Sequence, residues 1–247
     1  MTMLKKFKRL VPESVKEWYR TTKYRAGIRW RTMMHDDPSQ AGEVSLIRKL
    51  VGPDWPKYLV DVGANDGQTI SNSYVFVRDG WTGLLLEPNP DVCARLRKTH
   101  EGRANAICLE MAAGKETGTA SMYVPTNDPM GFSGTLNTDE NMVMAERREK
   151  TRTIEIKLET LTKLLEQHQF PGDFSFLSID AEGCDLEVLQ GLDFSRFRPR
   201  LIITEEYRIH AEREKVKLEL MKDNGYVLYR PIGCNEIWGL PKYLPGK

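Results

Sequence analysis

The sequence predicts an α/β fold, a mostly parallel sheet covered by helices on both faces. Three observations lead there. Tyr58–Val62, Gly83–Glu87, Ala104–Leu109, Phe174–Ile179 and Leu201–Thr204 are short, mainly apolar runs without strict alternation, as in strands buried on both sides. Helical stretches separate them, within Thr69–Arg78 and at Asp91–His100, Leu161–His168 and Leu186–Gly191, and the strand-helix rhythm is that of a doubly covered sheet. A glycine-bearing turn, Gly63-Ala64-Asn65-Asp66-Gly67, follows the first strand, where an α/β sheet presents its ligand site. At 247 residues the chain accommodates one such domain with an appendage, whereas two full domains would be crowded.

The appendage comes first. Leu4, Phe7, Val11, Val15 and Trp18 recur every three or four residues and so share one helical face, with Lys5, Lys6, Lys8, Arg9 and Lys16 around it. Pro12 marks the start of a second helix. Residues 1–34 hold ten Lys/Arg against two Asp/Glu, while the remainder holds 26 against 33, so a basic tip precedes an acidic body. Residues 1–42 therefore read as a basic amphipathic extension whose linker is Asp36–Gly42, and 43–247 as the catalytic domain. The tip packs on its own domain, on a second subunit of a homo-oligomer, or peripherally on anionic lipid at the inner face of the membrane. No apolar run approaches the roughly 20 residues of a spanning helix, and no signal-peptide core is present. Cys93, Cys108, Cys184 and Cys234 are scattered without a C-x-x-C pair. That pattern fits free thiols in a reducing, cytoplasmic setting.

Past the third strand the rhythm breaks. Thr119–Val124 and Thr153–Leu158 alternate like strands with one exposed face, and Pro125–Lys150 between them is too long for an idle connection. Gly131, Phe132, Ser133 and Gly134 give that loop the composition of a lid. Ile209–Asp223 returns to helix, Gly225–Arg230 to strand, and Glu236–Leu240 adds an antiparallel edge partner. Trp55, Trp81 and Trp238 read as packing residues.

Charge narrows the chemistry of the site. A dinucleotide turn receives a pyrophosphate on backbone N–H groups through G-x-G-x-x-G, and acidic side chains there repel it. This turn has Gly63-x-x-x-Gly67 with Asp61 and Asp66 beside it. Such a site suits S-adenosylmethionine, which carries a sulfonium, an ammonium and a single carboxylate. Gly63, Asn65, Asp66 and Gly67 let its amino-acid end approach the backbone. Glu87, 26 residues beyond Asp61, can accept from both ribose hydroxyls, and Met111 and Ala112 after the third strand can frame the adenine. The fourth buried strand ends in Asp180-Ala181-Glu182-Gly183, where Asp180 and Glu182 can take a proton from a substrate hydroxyl; helix capping by Glu182 and Asp185 is the plainer alternative. His210 is a second possible base, equally readable as a surface residue.

Val60-Asp61-Val62-Gly63-Ala64-Asn65-Asp66-Gly67, paired with Ile179-Asp180-Ala181-Glu182-Gly183 and Glu187-Val188-Leu189-Gln190-Gly191-Leu192, resembles the FkbM-type S-adenosylmethionine-dependent methyltransferases over about residues 57 to 206. The resemblance implies a Rossmann-like methyltransferase fold, a seven-stranded sheet with an antiparallel last strand. It also implies O-methylation of a sugar, glycan, lipid-linked glycan or related alcohol, with Asp61, Gly63, Asn65, Gly67 and Glu87 lining the cofactor site. Glu205 and Glu206, after the fifth strand, can join Asp180 as ligands for Mg²⁺, as in metal-dependent sugar O-methyltransferases. A nicotinamide dehydrogenase and a non-catalytic scaffold docking through the basic tip are the competing readings. Nucleic acid is not an expected partner of the acidic body.

Overall fold

The computed structural model describes residues 26–125, 135–136, 151–205 and 211–246. The amphipathic stretch Leu4–Trp18, most of the Pro125–Lys150 loop, Glu206 and His210 lie outside the described residues.

Helix α1 covers 26–35, followed by α2 (Glu43–Leu50), β1 (Tyr58–Val62), α3 (Tyr74–Arg78), β2 (Thr82–Leu86), α4 (Pro90–Thr99), β3 (Ala106–Leu109), β4 (Ala112–Ala113), β5 (Gly118–Pro125), β6 (Thr135–Leu136), β7 (Thr151–Glu159), α5 (Leu161–Gln167), β8 (Asp173–Ile179), α6 (Asp185–Gln190), β9 (Arg198–Glu205), α7 (Ala211–Asp223), β10 (Val227–Ile232) and β11 (Asn235–Gly239). The main sheet runs β10-β11-β9-β8-β1-β2-β3. Strands β3, β2, β1, β8 and β9 are mutually parallel, and β11 is antiparallel to both of its neighbours. This is a Rossmann-like methyltransferase sheet, and its order reverses between β1 and β8.

Alternation along each strand sends successive side chains to opposite faces. Val60, Val62, Leu84, Leu86, Leu177, Ile179, Ile202 and Trp238 pack on one side with α5, α6 and Met221 of α7. Leu59, Leu85, Phe176, Leu201, Ile203 and Ile237 pack on the other with Val44, Ile47, Val75, Phe76 and Leu96 from α2, α3 and α4. Both faces are apolar because both are covered.

Three details differ from the sequence reading. The first helix takes up only Tyr74–Arg78, the second half of the stretch expected to contain it. Ile70 sits at φ 57°, an unusual conformation for a β-branched residue. Beyond it the Ser71 hydroxyl accepts the Ser73 and Tyr74 amides at 3.2 and 2.9 Å, side-chain bonds that compete with a helical turn. Strand β11 is not at the edge but lies between β9 and β10, where Ile237 and Trp238 are buried on opposite faces. The segment 36–42 is no exposed connection either. Asp37 and Ser39 are fully buried, Asp37 accepts the Ser39 and Ser45 amides at 3.1 and 2.9 Å, and Ser39 bridges Ile70.

Strands β5 and β7 pair antiparallel in a second sheet, β4-β7-β5-β6, around a small apolar cluster of Met122, Val124 and Ile156. Trp81 and Trp238 are buried packing residues, as expected. All four cysteines are free thiols. Among the described residues no helix is long and apolar enough to cross a membrane.

Candidate functional site

The alternation that builds the core also builds the site. On the face of Leu59, Phe176 and Ile203, the next positions along each strand are polar, and they lie at the carboxyl ends. Asp61 pairs with Ser178, and Ser178 with Ile203. One step further, the same register aligns Gly63, Asp180 and Glu205, and Glu205 pairs with Asn235. A row of glycine, two carboxylates and an amide thus crosses the mouth of the sheet at its switch point.

Gly63 is demanded by contact as well as by its φ of 81°. A Cβ there would lie 2.0 Å from the Asp180 carbonyl oxygen. The Asp180 amide donates to the Val62 carbonyl at 2.9 Å, so β1 and β8 remain tied where their turns begin. Gly67 and Asn65 also have positive φ, 75° and 49°, which folds the turn tightly. Glu87 closes its far side. Its carboxylate is 6 % exposed and accepts the Asn65 amide at 3.2 Å and the Asn89 amide at 2.8 Å. Loss of solvation nevertheless pushes its carboxyl up to about 7.

Asp61 lies beneath this cradle. Ser73 donates to it at 2.5 Å, the Ser178 hydroxyl bonds it as well, and Asn72 donates to Ser178 at 3.1 Å. Burial raises Asp61 to about 6 against those bonds, and Asp180 adds repulsion. Asp66 is used locally, accepting the Gln68 and Thr69 amides at 2.9 and 2.7 Å and the Thr69 hydroxyl at 2.7 Å. Ala112 is buried in β4 within the small cluster, while Met111 is half-buried against the main core. Of the predicted cofactor residues, the structure gathers Asp61, Gly63, Asn65, Gly67 and Glu87 around one cradle and turns Asp66 to capping.

Asp180 stands solvent-accessible at the mouth. Loss of solvation at its carboxylate still raises the carboxyl above the usual range, and Glu43 repels it further. Glu205 is raised to about 7 by loss of solvation and then by Asp180. Glu182 holds the left-handed turn at φ 50° just before Gly183 at 92°, and is half-buried. No group of three His, Cys, Asp or Glu side chains among the described residues is arranged to hold a metal ion.

Several neighbours had no sequence signal strong enough to find them. Glu43, the first residue of α2, is fully buried and accepts from Asn235 Nδ2 at 2.8 Å and the Ala41 amide at 2.7 Å. The Cys234 thiol donates to Gln40 Oε1 at 3.0 Å and is pushed up to about 12 by burial, then by Glu205 and Asp180. Asp185, read as a helix cap, instead accepts the Ala181 amide at 3.1 Å and the Glu205 amide at 2.8 Å. Burial pushes it up to about 7. Ser178 alone was legible, two residues before Asp180 on the same strand face.

This crowding of carboxylates has a pH signature. Asp61, at about 6, and Glu87, Asp185 and Glu205, each at about 7, titrate above their unfolded values of roughly 4. Between those limits the folded chain binds more protons than the unfolded one, so stability falls as pH rises. The ligand-free protein is expected to melt several degrees higher at pH 5 than at pH 8, and a cationic ligand at the site is expected to narrow the gap. A melting temperature that rises steadily from pH 5 to pH 8 would contradict this electrostatic picture.

Comparison with known proteins agrees with the geometry. The family model described as the methyltransferase FkbM domain matches residues 61–228. No curated protein sequence gives a significant match. Similar solved structures include a precorrin-6y C5,15-methyltransferase from Geobacter metallireducens, 13 % identical with a TM-score of 0.40, over 81 % of this chain and 86 % of that one. A TehB-like SAM-dependent methyltransferase from Corynebacterium glutamicum is 12 % identical with a TM-score of 0.40, over 92 % and 97 %. A SAM-dependent methyltransferase from Aquifex aeolicus is 15 % identical with a TM-score of 0.40, over 87 % and 96 %.

Proposed function

Since the chain belongs to the FkbM methyltransferase family, we propose that it transfers a methyl group from S-adenosylmethionine to a hydroxyl of a sugar, glycan or related small alcohol. The observation that carries this reading is the row Gly63–Asp180–Glu205, a tight glycine turn directly beside an accessible carboxylate of raised basicity.

The residues fit a cationic nucleoside. Gly63, Asn65 and Gly67 fold the turn tightly at positive φ, Glu87 keeps a carboxylate at the ribose position, and the nearby acidic side chains suit a cation. When bound, the cofactor supplies an electrophilic methyl on its sulfonium. The protein has two further tasks, to align the acceptor oxygen and to remove its proton. Asp180 takes that proton as the acceptor oxygen displaces the thioether, then releases it to solvent. Glu205 faces the same acceptor position and holds a neighbouring hydroxyl. A carboxylate of raised pKa is a stronger base than a free one, which suits an alcohol.

No metal enters this reading. The Mg²⁺ site expected from Asp180, Glu205 and Glu206 has no three-residue cluster among the described residues, and Glu206 lies outside them. The basic segment 1–34 supports an acceptor at an anionic surface, and hence a lipid-linked glycan. The full chain is to be incubated with methyl-labelled cofactor and either free or lipid-linked glycan precursors. Label in an alkali-stable methyl ether is the expected product. Label confined to amines or carboxylates, or none in any glycan fraction, would overturn the assignment.

A further inference from the structure

Asp180 and Glu205 sit on different strands, and neither side chain can act with the other unless the two turns keep a constant separation. The backbone pairing of β8 with β9 ends at Ser178 and Ile203. Two residues further on, Asp180 lies just past the end of β8, whereas Glu205 is the last residue of β9. Asp185 spans that gap. Its Oδ1 accepts the amide of Ala181, the residue after Asp180, at 3.1 Å, and its Oδ2 accepts the amide of Glu205 at 2.8 Å. The side chain is 5 % exposed, so neither bond is exchanged with water. On the other side of Glu205, the buried Lys217 Nζ donates to its carbonyl at 2.7 Å. Lys217 is itself held by Glu214 at 2.8 Å and Glu236 at 3.4 Å.

We propose that Asp185 is a positioning residue, whose two oxygens hold the Ala181 and Glu205 amides and thereby set the distance between the Asp180 and Glu205 side chains. The inference rests on the hydroxyl-methylation reading above. A single carboxylate can serve two amides at once, each oxygen taking one. A carboxamide cannot, because one arm becomes an NH₂ that faces an N–H. Lys217 secures the same residue from behind, so Glu205 is held at both its donor and its acceptor.

The test is Asp185→Asn, alone and combined with Glu205→Gln, in the full chain. Asp185→Asn is expected to lower kcat roughly 100-fold, as a displacement of about 1 Å does, with the cofactor KM changed less than about twofold. In the Glu205→Gln background the same change is expected to cost at most about threefold, since its effect passes through Glu205. A kcat like wild type, or an equal loss in both backgrounds, overturns the proposal. Should Asp185→Asn fail to fold, Lys217→Met carries the same cycle, with the same expected and overturning results. A crystal structure separates this inference from the reading it rests on. Whatever the acceptor proves to be, the variant is expected to show Asp180 and Glu205 displaced relative to each other, and an unchanged separation defeats the positioning role. Wild-type protein that methylates no hydroxyl defeats the functional reading alone.

Discussion

Replacing Gly63 with alanine is expected to destabilise the protein by about 3–5 kcal/mol and to abolish binding of S-adenosylhomocysteine. Two costs add at this position. The φ of 81° is strained for any side chain, and the new Cβ would lie 2.0 Å from the carbonyl oxygen of Asp180 and 3.0 Å from its carbon. Those atoms are backbone, so relief requires moving the end of β8 and with it Asp180. Gly67 is a useful contrast. Its Cβ would meet Leu96 Cδ1 at 2.5 Å and His100 Nε2 at 2.9 Å, side-chain rather than backbone atoms, which can shift without moving a strand. Gly67→Ala is therefore the milder of the two. Denaturant unfolding measures both, and a Gly63→Ala protein within about 1 kcal/mol of wild type would show that β1 and β8 are not held this closely.

Asp180→Asn is expected to cost about 10²–10⁴ in kcat, the range of a lost general base, while S-adenosylhomocysteine affinity stays within a few-fold of wild type. It carries a second, opposite effect on stability. Asp180 contributes repulsion that raises Asp61, Glu87, Asp185 and Glu205. Removing its charge lets those carboxylates ionise more readily in the folded state. Stability is lost as pH rises through their raised values, so the neutral variant is expected to melt higher than wild type at pH 8 and nearly the same at pH 5. Lost turnover with gained stability is the mark of a group kept for chemistry against its electrostatic cost. Turnover at the wild-type rate would remove Asp180 from the reaction, and a lower melting temperature at pH 8 would show that its charge is compensated by a partner.

Local sequence was enough for the strands and for the first half of the site. Tyr58–Val62 is β1 to the residue, and β8 and β9 contain the expected runs with a few residues more. These segments are buried on both faces, so their composition alone sets them apart from helix and turn. The glycine turn was legible for a related reason, since positive φ and close approach restrict what can occupy Gly63 and Gly67. The start of α3 was not. Thr69–Arg78 was expected only to contain a helix, and its first half is held out of it because Ser71 bonds Ser73, Ser73 bonds Asp61 and Asn72 bonds Ser178 across the sheet. No local pattern records a partner 106 positions away.

The order of hydrophobic runs, the glycine spacing and the sign of the charges were sufficient to establish a mostly parallel α/β sheet with an acidic mouth, because each depends on residues adjacent in the chain. The company that Asp180 keeps could not be read that way. Glu43, Asp185, Glu205 and Cys234 reach it from four separate parts of the chain, and looked at singly they are an acid just past a linker, a helix cap, a strand end and a stray thiol. Folding brings their charges within range of one another in a poorly solvated space, where mutual repulsion and loss of water raise the carboxyls together. Basicity at this site is a property of that assembly, and it exists only once the strands have paired.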